Sequence, residues 1–342
     1  MIYRYWQSSE GYLVWHGLIL HSMSIPADNK LVEKYIQRFR KLKRGGTQYG
    51  SAPHKPVFLL TLIELIEKNN ISENRIVVSP ELVGTFKENF ALLVKTAHKD
   101  DFTQPFFYLQ SEGLWFVKPK PGVTIDSHIR SVQVLSERLD YACFADDLYQ
   151  LLLNIPTRLQ LKTTLLDTYF SEVKAEFVKV KTAGRSYVQD LENYLLNEKE
   201  STYITPLQPI EDEEVRFVRG GLFKKLVPMV YEHTCAISGM RVISSSGSSL
   251  VEACHIVPIS ISGDDRVTNG IALCPNLHTA FDRGMIGVDE RLRVVVSPTL
   301  ADTLASPYNL KQFQGQPLRL PFGEVHYPAK ENFRWHIENR FR

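Results

Sequence analysis

Two histidines and an asparagine carry the strongest chemical signal in this chain. They lie in the stretch VEACHIVPISISGDDRVTNGIALCPNLHTAFDRGMIGVD, residues 251–289. Val251 to Ile256 predicts a strand that brings His255 to the lip of a two-stranded ribbon. Asn269-Gly270 marks the turn into a second apolar strand, Ile271 to Cys274. Leu277 to Arg283 predicts a helix carrying His278, and His278 and Asp282, four apart, share one helical face. One divalent ion fits between that face and the ribbon. Phosphodiester hydrolysis at neutral pH needs a base to deprotonate water, for which an imidazole is suited, and a cation to absorb charge on the phosphate and leaving oxygen.

Taken singly, each residue has an ordinary reading: a His near Pro is usually structural, and Asn-Gly is usually a turn. Together, the order HIVP…NG…LC…LH…FDRG resembles the HNH (ββα-metal) nuclease family in its restriction-enzyme branch. Asn269 and His278 stand nine residues apart, which fits that family. The resemblance implies that His255 is the general base, that Asn269 holds the base-bearing loop through a side-chain to backbone hydrogen bond, and that His278 ligates the metal. It also implies further ligands from the residue before the base and from the helix, here Cys254 and Asp282. Cys254 departs from the hard ligand that magnesium prefers, whereas Asp282 suits it. The cofactor expected is a divalent metal, Mg2+ or Mn2+. The preceding basic helix, running into Tyr231 and then Cys235-Ala-Ile-Ser-Gly239, is how this branch leads into its first strand.

Upstream, the spacing of Leu31, Tyr35, Ile36, Phe39 and Leu42 predicts a helix over residues 29–42. Arg38, Arg40, Lys41, Lys43 and Arg44 form the densest basic cluster, read either as a solvated face or as a phosphate-contacting patch. Pro53 and Pro56 are expected to hold off helix until Val57, after which an apolar helix runs to Lys68. Further helices are predicted over Ser79 to Val94, Asp126 to Leu139, Phe144 to Asn154 and Arg158 to Phe170. The aromatic segment TQPFFYLQSEGLWFVKPKPG reads as a β-hairpin turning at Ser111-Glu112-Gly113. From Val173 to Val215 the chain becomes polar and proline-punctuated, a connector carrying one amphipathic helix from Gly184 to Leu196.

Gly50-Ser-Ala-Pro-His-Lys-Pro56, together with Gln104-Pro-Phe-Phe-Tyr-Leu-Gln-Ser-Glu-Gly-Leu-Trp115, resembles the sulfur-binding domain of type IV restriction endonucleases that attack phosphorothioate-modified DNA. Such recognition is physically reasonable. Sulfur in place of a non-bridging oxygen is larger and poorly hydrated, so an apolar dent with a cationic rim accepts it more readily than oxygen. The resemblance implies a dent lined by a Tyr-Pro pair. Pro105 matches the proline, Gln104 replaces the tyrosine, and Phe106 or Tyr108 is expected to supply the wall. His54, Lys55 and Arg44 are the expected rim.

The expected fold is α+β in two domains, a mostly helical N-terminal DNA-reading domain with a small β-hairpin and a C-terminal ββα-metal nuclease domain. The expected boundaries are an extension over residues 1–24, a reader over 25–172, a linker over 173–215 and a nuclease over 216–342. Met23 offers an alternative start. The 342 residues, 44% hydrophobic and 23% charged, suffice for two cores. A net charge of +2 requires any DNA-binding surface to come from local clustering. Four scattered cysteines without a CxxC argue against a disulfide framework or zinc knuckle and for a reducing cytoplasm. No apolar run is long enough to span a membrane. The expected partner is phosphorothioated double-stranded DNA. Double-strand cleavage with one finger per chain would favour a homodimer. The competing readings are a nuclease triggered by methylated cytosine or by plain sequence, and a non-catalytic DNA-binding protein.

Overall fold

The structure is a computed structural model that describes residues 29–184, 186–196, 212–245, 247–301 and 306–342. The N-terminal extension, Met23 and the middle of the proline-punctuated connector lie outside the described residues. The elements of the N-terminal part are helix α1 (Asn29–Arg40), strands β1 (Gly46–Thr47) and β2 (Gly50–Ser51), and helices α2 (His54–Glu67), α3 (Pro80–Leu93) and α4 (Thr103–Tyr108). These are followed by β3 (Trp115–Pro119), α5 (Val132–Arg138), β4 (Leu139–Phe144), α6 (Asp146–Leu153), α7 (Ile155–Tyr169), α8 (Lys174–Thr182) and α9 (Tyr187–Leu196). Helix α10 (Glu213–Val230) leads to β5 (Glu252–His255), α11 (Ile259–Ser262), β6 (Gly270–Leu273), α12 (Pro275–Asp282), β7 (Ile286–Val288), β8 (Val294–Val296) and α13 (Lys330–Asn339).

Helix α2 is the axis of the reader, buried from His54 through Ile66. It starts three residues before the predicted Val57 because Pro56 falls in the first turn, where backbone N–H groups have no helical acceptor to lose. α1 buries Val32, Tyr35, Ile36 and Phe39, the one-sided spacing expected of a surface helix. At the start of α3, the Ser79 hydroxyl accepts from Leu82 N, and Pro80 occupies the first turn.

The predicted hairpin at residues 104–122 is only half present. Thr103–Tyr108 is helical and a 3-10 turn follows over Leu109–Glu112, closed by Gly113 at φ +65°. Asp101 accepts from the amides of Thr103 and Gln104 and so caps α4. Phe102 and Phe106, one turn apart, both enter an aromatic core with Phe58, Phe86 and Trp115. That burial outweighs the strand preference of the aromatic run. β3 instead pairs antiparallel with the distant β4, Trp115 opposite Phe144. The only helix in the predicted 126–139 span is α5, capped by Ser131.

In the second part, β5 and β6 form the expected ribbon, with Glu252 opposite Leu273 and His255 opposite Gly270. α12 follows directly, and β7 and β8 form a second antiparallel pair. Helix α10 belongs to both halves. Val218 approaches Gly84 of α3, and Gly221 sits against Pro80, so close that an added Cβ would fall 2.2 Å from the proline ring. The neighbouring face presents Phe223 and Val227 to Gly270 of the ribbon. Lys87 links Asp100 to Asp212 at the start of this helix, and Lys225 links Glu81 to Glu192. No described helix is long and apolar enough to cross a membrane.

Candidate functional site

The ribbon and α12 bring His255, His278 and Asp282 to one hollow of about 380 Å³, also lined by Ala253, Ile256, Pro258, His336 and Arg340. His255 sits at the last position of β5, with its ring stacked on Phe223 of α10 at 3.7 Å and an interplanar angle of 5°. Its Nε2 lies 3.2 Å from Asp265 Oδ1, and Asp265 Oδ2 lies 3.2 Å from Arg219 Nε. Asp265 and Arg219 are both buried, so the carboxylate is held between the imidazole and the guanidinium. An Nε2–H donated to Asp265 leaves the lone pair on Nδ1, which has no hydrogen-bond partner among the described residues. A base oriented by a carboxylate and clamped against an aromatic face is suited to taking a proton from water.

Asn269 is fully buried at the end of a short 3-10 turn, Val267–Asn269. Its Oδ1 accepts from Val257 N at 3.0 Å, and its Nδ2 donates to Val257 O and Asp264 O, both at 2.9 Å. The side chain thereby ties the segment after His255 to the loop holding Asp265.

His278 Nδ1 lies 2.8 Å from Glu252 Oε2, and its Nε2 lies 3.4 Å from Asp282 Oδ2. Ligand atoms of Cys254, His278 and Asp282 fall within 4.8 Å of one another. Cys254 is the weak member of this set. Burial, with Asp282 and Glu252 adding to it, pushes its thiol well above the usual range, and the sulfur lies 3.7 Å from Asp282 Oδ1. One imidazole and carboxylate oxygens, with room for water, suit a hard divalent ion, whereas a protonated thiol does not. His336 stacks on Phe281 at 3.8 Å, with its Nε2 3.0 Å from Phe281 O. Burial holds its pKa below the usual histidine value, and the charge of Arg340 adds to the effect.

A second hollow, of about 480 Å³, lies in the helical part. Its lining includes Lys43, Arg44, Ala52, His54, Lys55, Gln104, Pro105, Tyr108 and Ser111. Five of the six residues expected at a sulfur site, Arg44, His54, Lys55, Pro105 and Tyr108, therefore meet here. Phe106 does not. It is fully buried beneath the hollow, because on α4 it faces the core, and its carbonyl accepts from the Trp115 indole. Tyr108, 49% exposed, is the available aromatic wall and packs 5.4 Å from His128. Lys55 is paired with Glu112 and donates to Ser111 Oγ at 2.9 Å. His54 Nε2 lies 2.7 Å from Lys99 O, and burial lowers its pKa. Arg44 is exposed and lies over the Tyr169 ring at 4.6 Å.

Asp265, Arg219, Phe223, His336 and Arg340 were not singled out from sequence. Asp265 sits in the quoted motif, and the acidic pair Asp264-Asp265 ahead of Asn269 was its signal. Arg219 and Phe223 lie on α10, His336 lies on α13 and Arg340 directly follows it, and only tertiary folding brings them to the site.

Residues 235–289 match the family model described as HNH endonuclease, and residues 32–179 match that of the ScoMcrA-like DNA sulfur-binding domain. Among solved structures, the modification-dependent TagI restriction endonuclease is similar at 25% identity and a TM-score of 0.29, over 38% of this chain and 43% of that one. The chain thus spans less than half the length of that relative. The sulfur binding domain of ScoMcrA complexed with phosphorothioated DNA is similar at 20% identity and a TM-score of 0.33, over 40% of this chain and 87% of that one. The type IV phosphorothioation-dependent restriction endonuclease ScoMcrA is similar at 12% identity and a TM-score of 0.32, over 72% and 93%. A search of curated proteins finds no match. The family assignment rests on the two models: the chain joins a ScoMcrA-like DNA sulfur-binding domain to an HNH endonuclease domain.

Proposed function

We propose that the chain is a type IV restriction endonuclease that reads a phosphorothioate link with its N-terminal domain and hydrolyses a nearby phosphodiester with its C-terminal finger. The observation that carries this reading is the coexistence of two hollows of opposite chemistry, each inside the domain family that predicts it. In the first, Ala52, Pro105 and Tyr108 offer apolar surface to sulfur, while Arg44 and Lys43 face the flanking phosphates. An unmodified oxygen seated there would give up stronger hydrogen bonds to water.

In the second hollow, His255 Nδ1 takes a proton from a water whose oxygen bonds to phosphorus as the P–O3′ bond breaks. Asp265 keeps the imidazole in the required tautomer and stabilises the imidazolium that forms. Asn269 fixes the distance between base and orienting carboxylate. His278 and Asp282, with Glu252 beside them, are the residues proposed to hold a magnesium or manganese ion. Such an ion supplies charge neutralisation at the phosphate and the departing oxygen. The leaving 3′ oxygen takes a proton from solvent.

The free cysteines and the DNA substrate favour a cytoplasmic setting. Because each chain carries one finger, cutting both strands would call for two chains acting as a pair. The deciding experiment compares matched duplexes, with and without one stereodefined phosphorothioate, across a panel of divalent ions. Metal-dependent cutting confined to the modified duplex is expected. Equal cutting of both duplexes would overturn sulfur recognition, and no cutting with any ion would overturn the nuclease assignment.

A further inference from the structure

Arg340 lines the same hollow as His255, His278 and Asp282, and it is the only Lys or Arg among the described lining residues. It is exposed, and its guanidinium has no hydrogen-bond or ion-pair partner among the described residues. The other charged or titratable groups of the hollow have partners. His255 meets Asp265, and His278 lies between Glu252 and Asp282.

The chain end that carries Arg340 is closely held. Gly284, the last residue of the FDRG motif, adopts φ +67°, and a Cβ there would lie 1.9 Å from Arg340 O. Arg342 N donates to Gly284 O at 3.1 Å, and Arg340 N and Phe341 N both donate to His336 O. Gly287 of β7 makes room for Ile337 and Phe341. His336, stacked on Phe281, fixes the helix from the other side. Two glycines and one stacked ring of the finger thus receive the end of α13 and the residues that follow it. Packing alone does not account for an unpaired cation at this place, because the side chain is exposed while its backbone makes the contacts.

From this geometry we infer that Arg340 is a catalytic residue of the nuclease, binding the non-bridging oxygens of the scissile phosphate. Guanidinium is the side chain whose fork of donors matches phosphate geometry, and it cannot lose its charge near a metal ion. Its attraction grows as charge accumulates on phosphorus oxygens during attack, so its effect should appear in the rate more than in binding. The inference rests on the nuclease reading. It also lies beyond the segment matched by the HNH family model.

The test uses the full-length chain with a phosphorothioated duplex under saturating, single-turnover conditions. Arg340→Ala should slow cleavage about a hundredfold, the order found when one oxyanion donor is removed. The Kd for the duplex should change less than about threefold, because the N-terminal domain dominates binding, and Arg340→Lys should recover part of the rate. Arg334→Ala, on the helix that precedes Arg340 but paired with Glu290, should cut at the unaltered rate. An Arg340→Ala rate within about threefold of the parent, while the parent itself cuts, would overturn the inference. So would equal losses in the Lys and Ala variants accompanied by a matching fall in Tm, because these would mark a structural role. A parent that cuts nothing would instead sink the nuclease reading.

Discussion

In the hollow beside α4, the buried lysine is matched by Glu112 and Ser111 and the histidine by a backbone carbonyl. In the hollow beside the ribbon, an arginine stands unmatched, and two imidazoles lean on carboxylates. The first arrangement pairs its buried Lys55 next to an apolar surface and keeps Arg44 and Lys43 at the rim, so it is suited to discriminate by desolvation and shape. The second concentrates charge, so it acts on a group whose own charge changes. Under the proposed function, the same residue types are suited to recognition in one place and to bond-breaking in the other, and their partners decide which.

The contrast breaks most visibly at His255. His255→Ala should lower single-turnover cleavage by at least about a hundredfold while leaving duplex Kd near its original value, as measured by gel shift. Unchanged cleavage in a metal-replete assay would remove this imidazole from the mechanism. Next in size is Asp265→Asn, expected to cost about 10- to 100-fold in rate as an orienting group, with a displaced pH–rate profile. If the profile stays in place and only Tm falls, Asp265 merely supports the loop.

The reading hollow should respond in the opposite currency. Tyr108→Ala is expected to shrink the ratio of Kd values for plain and phosphorothioated duplexes by about tenfold, the scale for losing part of an apolar pocket. Its cleavage rate at saturation should hold. A variant that lost rate but kept that ratio would erase the distinction between the two hollows.

The smallest effect concerns the joint between them. Burial raises the Glu214 carboxyl from its ordinary 4.5 to about 7, partly offset by Lys87 and opposed again by Asp101 and Asp100. Because the folded pKa is the higher one, the stabilising contribution of Glu214 is fully present below pH 4.5 and is lost as pH rises through about 7. Glu214→Gln should therefore flatten the fall of Tm across that window. An identical slope in both proteins would assign the dependence to other groups.

Much of the proposed cutting site can be placed from the sequence because its residues are local. His255, Asn269, His278 and Asp282 all fall within one ribbon and one helix, and the motif spacing fixes their neighbourhood. The hollow proposed to read sulfur draws on two short segments and on Arg44 of the basic cluster, and Phe106 lies outside its lining. The alternation of aromatic residues there suggested a strand, but the i, i+4 pair Phe102 and Phe106 finds its core partners as a helix. Arg219, Phe223 and Arg340 were not legible. They approach the site from α10 and from the segment after α13, and nothing local distinguishes them from ordinary basic or apolar positions. Pro56 shows the same limit at short range, because its effect depends on whether it falls inside a helix or in its first turn.

Helix α10 gives one side to α3 and an adjacent side to the β5–β6 ribbon. A cutting unit excised ahead of residue 213 would expose Val218 and the Gly221 groove to water, and a reading unit trimmed after α9 would lose the cover over Pro80. Grafting the proposed cutting finger onto a foreign N-terminal domain therefore demands transplanting a matching helical seat as well.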